Sequence, residues 1–195
     1  MKKYRFFFLM LAASACSSGS QETTQQQAQT SSPTVTAFFS KFENAESGKS
    51  YDYDWFFGFT QNKAGKEISA EECSKFLEGN QIINHPFDGN PTKKITCNKT
   101  YYRVANVPGR PDITTIIFSD GEKETYLCTY DTTGKFISGI VLQYYTTEKE
   151  IEIFRNGGLA DGGTKIILKD AKPNTNFPPM IVYEITLDGK IQQAQ

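Results

Sequence analysis

Histidine is nearly missing from this chain: His85, directly before Pro86, is the only one in 195 residues. A zinc site built on two histidines is therefore impossible within one chain, and the H-E-x-x-H pattern of metalloproteases is absent. A Ser–His–Asp triad would have to take His85 as its base, and no G-x-S-x-G elbow accompanies it. The sequence assigns His85 to a polar loop, exposed or hydrogen-bonded. Long apolar runs are also lacking, so no stretch reaches the ~20 residues of a membrane-spanning helix. There is no basic patch with interleaved aromatics, which argues against nucleic acid as a partner. None of the four cysteines stands in a C-x-x-C pair. The glycine-rich stretch 156–164 lacks the Lys-Ser/Thr step of a phosphate loop, because Gly163 stands before Thr164; it reads as a hairpin loop. These absences leave no catalytic set, no metal site and no cofactor site to expect.

What is present begins at the N-terminus. Lys2, Lys3 and Arg5 form a positive start, residues 6–13 form an apolar run, and Ala13-Ser14-Ala15 are small residues before Cys16. That is the order of a secretory signal. The cysteine makes it more specific, because Ala13-Ser14-Ala15-Cys16 resembles a bacterial lipobox, with Ala13 where leucine is usual. Ala13-Ser14-Ala15 also fits an ordinary signal-peptidase site, which would release a soluble protein. The reading taken here is a signal peptide over residues 1–15 and lipidation of Cys16, which would tie the protein to a membrane of the cell envelope, the outer membrane first.

Residues 17–33, SSGSQETTQQQAQTSSP, hold no aromatic residue and no aliphatic one larger than alanine. Such a segment buries too little apolar surface to offset its ordering entropy. It is expected to be a flexible tether with an r.m.s. reach of about 20–25 Å. The remaining residues, 34–195, are long enough for one domain with a real core. Without residues 1–15 the chain keeps 18 basic and 22 acidic residues. With Cys16 lipidated, Cys73, Cys97 and Cys128 remain; they are either buried thiols or one disulfide plus one thiol. Cys97–Cys128 is the preferred pair, since both fall in expected strands.

Val35, Phe38, Phe39 and Phe42 recur at helical spacing and predict a short helix that ends near Gly48. The cluster from Tyr51 to Phe59 starts by alternating and is expected to be extended. Ser69 followed by Glu72 is a capping box; it opens a second helix whose inward stripe is Cys73, Phe76 and Leu77 and which Gly79 stops. Strands are expected over 95–105, 113–118, 125–130, 135–145, 151–155, 165–169 and 180–187, rich in β-branched and aromatic residues. Turn pairs such as Asp120-Gly121, Thr133-Gly134 and Asp188-Gly189 separate or follow them. Short connections mean antiparallel neighbours. The expected fold class is α+β: two N-terminal helices packed on an antiparallel meander of about seven strands.

Three stretches carry a resemblance: Phe38-Phe39-Ser40-Lys41-Phe42, then Ile68-Ser69-Ala70-Glu71-Glu72 with Lys75-Phe76-Leu77, then residues 126–137. With Asp188-Gly189-Lys190-Ile191 they resemble small exported lipoproteins of the Bacteroidetes type, as scattered short motifs across residues 36–192. The resemblance implies a lipid anchor and a helix pair before a β-meander. It brings no activity and no catalytic residues to carry over.

Asp52 and Asp54 flank Tyr53 and precede Trp55. Carboxylates beside aromatic rings suit a glycan, whose C–H faces stack on rings while its hydroxyls donate to the acids. The candidate glycan contacts are therefore Tyr51, Tyr53, Trp55, Asp52 and Asp54, against the plainer reading of a strand with its aromatics in the core. Asp131-Thr132-Thr133 lies in an expected hairpin turn and makes Thr132 a candidate for O-glycosylation. The functional expectation is a non-enzymatic, lipid-anchored module that binds a protein or a glycan. The rivals are a carboxylate-based glycoside hydrolase and a structural subunit of an envelope complex.

Overall fold

The computed structural model describes residues 34–45, 50, 51, 53–63, 66–148, 151–171 and 179–195. The signal, Cys16 and the tether lie outside them, as does Asp52. The helices are short: α1 (Val35–Phe39), α2 (Tyr53–Gln61) and α3 (Ala70–Phe76). The strands are β1 (Ser50–Tyr51), β2 (Glu67–Ile68), β3 (Gln81–Ile83), β4 (Thr92–Lys94), β5 (Tyr101–Arg110), β6 (Ile113–Ser119), β7 (Glu124–Asp131), β8 (Phe136–Glu148), β9 (Ile151–Ala160), β10 (Lys165–Ala171), β11 (Met180–Ile185) and β12 (Ile191–Gln193).

The α+β expectation is overturned. The described chain is mostly β, with twelve strands in one sheet of order β12-β11-β10-β9-β8-β7-β6-β5-β2. All pairings along that order are antiparallel. The β3–β4 hairpin attaches to β8 through a parallel step at Ile83 and Ile140. Seven longer strands, β5 to β11, follow the apolar runs of the sequence. The other five are two or three residues long, too short to carry a periodic signal.

The sheet has two covered faces, and the side-chain alternation of its central strands shows why. Ile116 and Phe118 of β6, Tyr126, Cys128 and Tyr130 of β7 and Val141 of β8 join one cluster with Phe38, Phe42, Phe76 and Leu77. Ile117, Leu127, Ile140 and Leu142 point the other way, into a second cluster with Leu159, Ile166, Leu168, Ile185 and Ile191. The later strands therefore curl back over the earlier ones. Three long-range bonds tie the curl: the Arg110 guanidinium donates twice to Ile185 O, at 3.0 and 3.2 Å, and Thr129 Oγ1 donates to Gly189 O at 2.6 Å. Strands buried on both faces read as continuous apolar runs, as Gly139-Ile140-Val141-Leu142 does.

Helix α3 carries the expected capping box: Glu72 N–H donates to Ser69 Oγ at 3.2 Å, and Ser69 N–H donates to Glu72 Oε2 at 3.0 Å. The extended reading of the Tyr51–Phe59 cluster fails beyond Tyr51. Residues 53–61 are helical, and Trp55 stacks on Phe59 one turn later with ring centres 5.3 Å apart. Adjacent Phe56 and Phe57 had already broken the alternation a strand requires. The preferred disulfide is also corrected. Cys73 of α3 bonds Cys97 across a Cα–Cα distance of 5.9 Å, and Cys128 is a buried free thiol. Cys97 precedes β5 in a loop rather than lying within the strand, and the loop carries it to the helix.

Candidate functional site

The loop from Asn84 to Pro91, which joins β3 to β4, is organised by one side chain. Asn84 Nδ2 donates to Asp88 Oδ2 and to Asn90 O, both at 3.0 Å, and its backbone N–H donates to Pro91 O at 2.9 Å. Pro86 opens a single 3-10 turn, and Gly89, at φ 72°, closes it in the left-handed region that favours glycine. The loop forms one wall of a cleft of about 380 Å³, whose opposite wall includes Arg155, Asp170, Ile181 and Tyr183. That volume lies within the range of small-molecule sites.

The opposite wall is chemically quiet. Arg155 donates to both Asp170 oxygens, at 2.6 and 2.8 Å, and through Nη1 to Val141 O at 3.1 Å. This buried pair satisfies its own charges and gives the cleft a rigid polar floor. The loop wall is not satisfied. Asn84 Oδ1 and His85 Nδ1 are buried atoms with no hydrogen-bond partner. Both side-chain donations of Asn84 leave through Nδ2, which fixes the amide and makes Oδ1 the unmatched acceptor. His85 Nε2 lies 3.5 Å from Glu124 Oε1. A buried polar atom without a partner costs about 1–3 kcal/mol, so two on successive residues of one cleft call for a hydrogen-bonding ligand.

Behind His85 stands a dense charge cluster. Its ring stacks on Tyr144 with centres 3.7 Å apart. Glu124, 1% exposed, takes Lys93 Nζ at 2.5 Å and the Tyr126 hydroxyl, with Lys99 Nζ at 3.7 Å. Lys99 Nζ also meets Asp120 Oδ2 at 2.6 Å, while Asp120 Oδ1 accepts the backbone N–H groups of Glu122, Lys123 and Glu124. Burial works to raise the Glu124 carboxyl, but hydrogen bonds from His85, Lys93 and Tyr126 outweigh it and hold the group far below the usual carboxylate range. Burial, with the Glu124 and Asp120 charges behind it, pushes the Tyr126 hydroxyl far upward. The cluster fixes His85 from behind with a permanent carboxylate and a neutral phenol.

The structure separates the sequence candidates. His85 lies in a loop but is buried, at 2% exposure, with Nε2 3.5 Å from Glu124 Oε1. Tyr51 has no exposed surface and belongs to the second core cluster, which removes it as a glycan contact. Trp55 is half-buried and meets Tyr51 edge to face at 4.7 Å. Asp54 is exposed in the first turn of α2. Asp52 and the Tyr53 side chain lie outside the described residues, and the described members share no exposed aromatic face. Thr132 is exposed in the β7–β8 turn. Asp131 Oδ1 accepts from the backbone N–H of Thr133 and Lys135, at 2.9 and 3.0 Å, which fixes that turn. The glycine-rich stretch is a hairpin connection only at Asp161–Gly163, since Gly157 and Gly158 lie within β9.

Asn84, Arg155, Asp170 and the Glu124 cluster were not singled out in the sequence. A signal for Glu124 was there: it shares the parity of Tyr126, Cys128 and Tyr130, so a strand there must point it inward. Among the described residues, no group of three or more His, Cys, Asp or Glu is placed to hold a metal ion. No protein-family model, curated protein or solved structure matches the chain.

Proposed function

We propose that the protein is a lipid-anchored binding module of the bacterial cell envelope, tied to the outer membrane through Cys16, that takes a hydroxyl-rich glycan in the Asn84–Pro91 cleft. The observation that carries the reading is the pair of adjacent buried polar atoms without partners, Asn84 Oδ1 and His85 Nδ1, on residues lining that cleft. Sugar hydroxyls both donate and accept, so they can meet both atoms, and the Tyr183 ring with Ile181 offers an apolar counterpart for sugar C–H groups. The seat moves from the Tyr51–Trp55 cluster to this cleft. The address rests on the N-terminal pattern, and the Cys73–Cys97 disulfide fits an oxidising compartment. Thr132 remains the proposed O-glycosylation position, since its turn is exposed.

The carboxylates weigh toward binding rather than hydrolysis. A glycosidase needs two carboxylates flanking its substrate, whereas among the described residues lining this cleft only Asp170 is a carboxylate, and Arg155 takes both its oxygens. The test is a glycan array followed by titration of the best hit. Tyr183→Ala, at a half-buried position, should weaken binding about tenfold or more, in the range of losing a stacked ring, with the thermal midpoint little changed. Trp55→Ala should leave affinity intact. Unchanged affinity in Tyr183→Ala would remove the cleft from consideration. Cys16→Ala should shift the protein from the membrane to the soluble fraction; a wild-type protein already soluble and unacylated would end the anchor.

A further inference from the structure

A second cleft, of about 290 Å³, shares no lining residue with the first; Lys41, Glu43, Lys66, Arg103 and Val104 line it. Lys41 follows α1, Lys66 leads into β2, and Arg103 rises from β5 between them. Arg103 is nine-tenths buried, at 9% exposure. Its Nη1 donates to Glu67 O and its Nη2 to Glu72 Oε2. Among the donors that remain, Nε–H is buried and has no acceptor.

The charges around this arginine do not cancel. Glu72 is a single buried carboxylate, and it also takes Lys41 Nζ at 2.7 Å. One negative charge thus stands between two positive ones. Lys66 Nζ and Glu43 Oε2 are 3.9 Å apart, and the Glu43 side chain is 81% exposed, so water and salt weaken that pair. Among the described residues, three cations face two carboxylates, with the buried guanidinium Nε–H unused and two ammonium groups able to swing. That combination suits a tetrahedral oxyanion, which accepts from several directions at once.

We propose that this cleft binds a phosphate oxyanion, with Arg103 Nε–H as the fixed donor and Lys41 and Lys66 closing over it. The phosphate comes either from free inorganic phosphate or from an anionic lipid headgroup; the site itself does not rest on the glycan reading. The test uses the full chain carrying Cys16→Ala, so that no acyl group contributes. Inorganic phosphate is titrated at low ionic strength by calorimetry and by amide NMR shifts. Saturable binding is expected, with the shifts centred on residues 41–43, 66 and 103. Lys66→Gln should weaken it about tenfold, the loss of one charge-assisted hydrogen bond. Glu43→Gln should strengthen it, a direction that damage to the fold would not produce. Vesicles of phosphatidylglycerol and of phosphatidylcholine separate the sources. Retention on the first alone, lost in Lys66→Gln, assigns a headgroup; phosphate binding without vesicle retention assigns the free anion. Shifts that stay linear into tens of millimolar phosphate, or equal binding by wild type and Lys66→Gln, overturn the proposal.

Discussion

Buried charge concentrates at a few side chains that fall in phase with the apolar residues of their strands. Glu124 shares the inward face of β7 with Tyr126, and Arg155 shares that of β9 with Ile153, which packs on the first cluster. Each is matched: Glu124 by Lys93, Lys99 and Tyr126, Arg155 by Asp170. Removing one member leaves the others uncompensated, so Glu124→Gln should cost about 3–5 kcal/mol in urea unfolding. The same carboxylate sets an acid limit. Folding lowers its pKa, so above the unfolded value of roughly 4.3 both states are ionised and the full stabilisation is present. As the pH drops below that value the unfolded chain takes the proton first. Stability should then fall by up to about 1.4 kcal/mol per pH unit for this group. Glu72 adds in the same direction, since burial, which would raise it, is outweighed by hydrogen bonds from Lys41 and Ser69 and by the Arg103 charge. Urea midpoints recorded from pH 6 down to 3 test this, and a flat profile across that range would contradict the buried cluster.

At the level of strands, the edge of β9 that faces away from β10 is shared between two neighbours, and its glycines mark the handover. It pairs with β8 as far as Arg155, then with β1 at Gly157 and Gly158. A Cβ on Gly157 would sit 2.3 Å from Leu142 O, whereas one on Gly158 meets nothing within 4 Å. Backbone oxygen cannot swing aside as a side chain can. Gly157→Ala should therefore cost about 1–3 kcal/mol or more, and Gly158→Ala should stay within about 1 kcal/mol of wild type; equal thermal midpoints for the two would refute the handover. This doubled glycine looked in the sequence like part of a loop, because close approach of two strands and a turn demand the same residue. The parts that were legible are those with local causes: the Ser69–Glu72 cap, the turns at Asp120-Gly121 and Asp188-Gly189, and the apolar runs of β6 to β8. The parts that were not depend on partners far along the chain. Strands of two or three residues exist only because β5, β8, β9, β11 or, for β4, the neighbouring β3 offers an edge. The aromatic cluster turned helical because Trp55 meets Phe59. The cleft at Asn84 is closed by Arg155 and Asp170, some seventy or more residues later in the sequence, and no local pattern announces it.

For the molecule as a whole, the sheet is a meander whose neighbours are mostly sequential, but its start is fastened from outside that order. The Cys73–Cys97 bond joins α3 to the segment that leads into β5, across a separation of 24 residues. Closing a loop of that length removes chain entropy worth about 3.5 kcal/mol from the unfolded state. For a domain of ordinary stability, about 5–15 kcal/mol, that is a large share. It also ties both candidate clefts to one staple. Glu72, next to Cys73, holds the Arg103 side, while Lys99, two residues past Cys97, reaches Asp120 and Glu124 behind His85. Reduction should lower the urea midpoint to match that loss. Cys97→Ser should reproduce the drop and make further reductant silent, and Cys128→Ser should leave the response to reductant unchanged. A wild-type midpoint indifferent to reductant would mean that the fold stands without the staple. A protein made in a reducing compartment should then be as stable as an exported one, and the disulfide would no longer support an extracytoplasmic address.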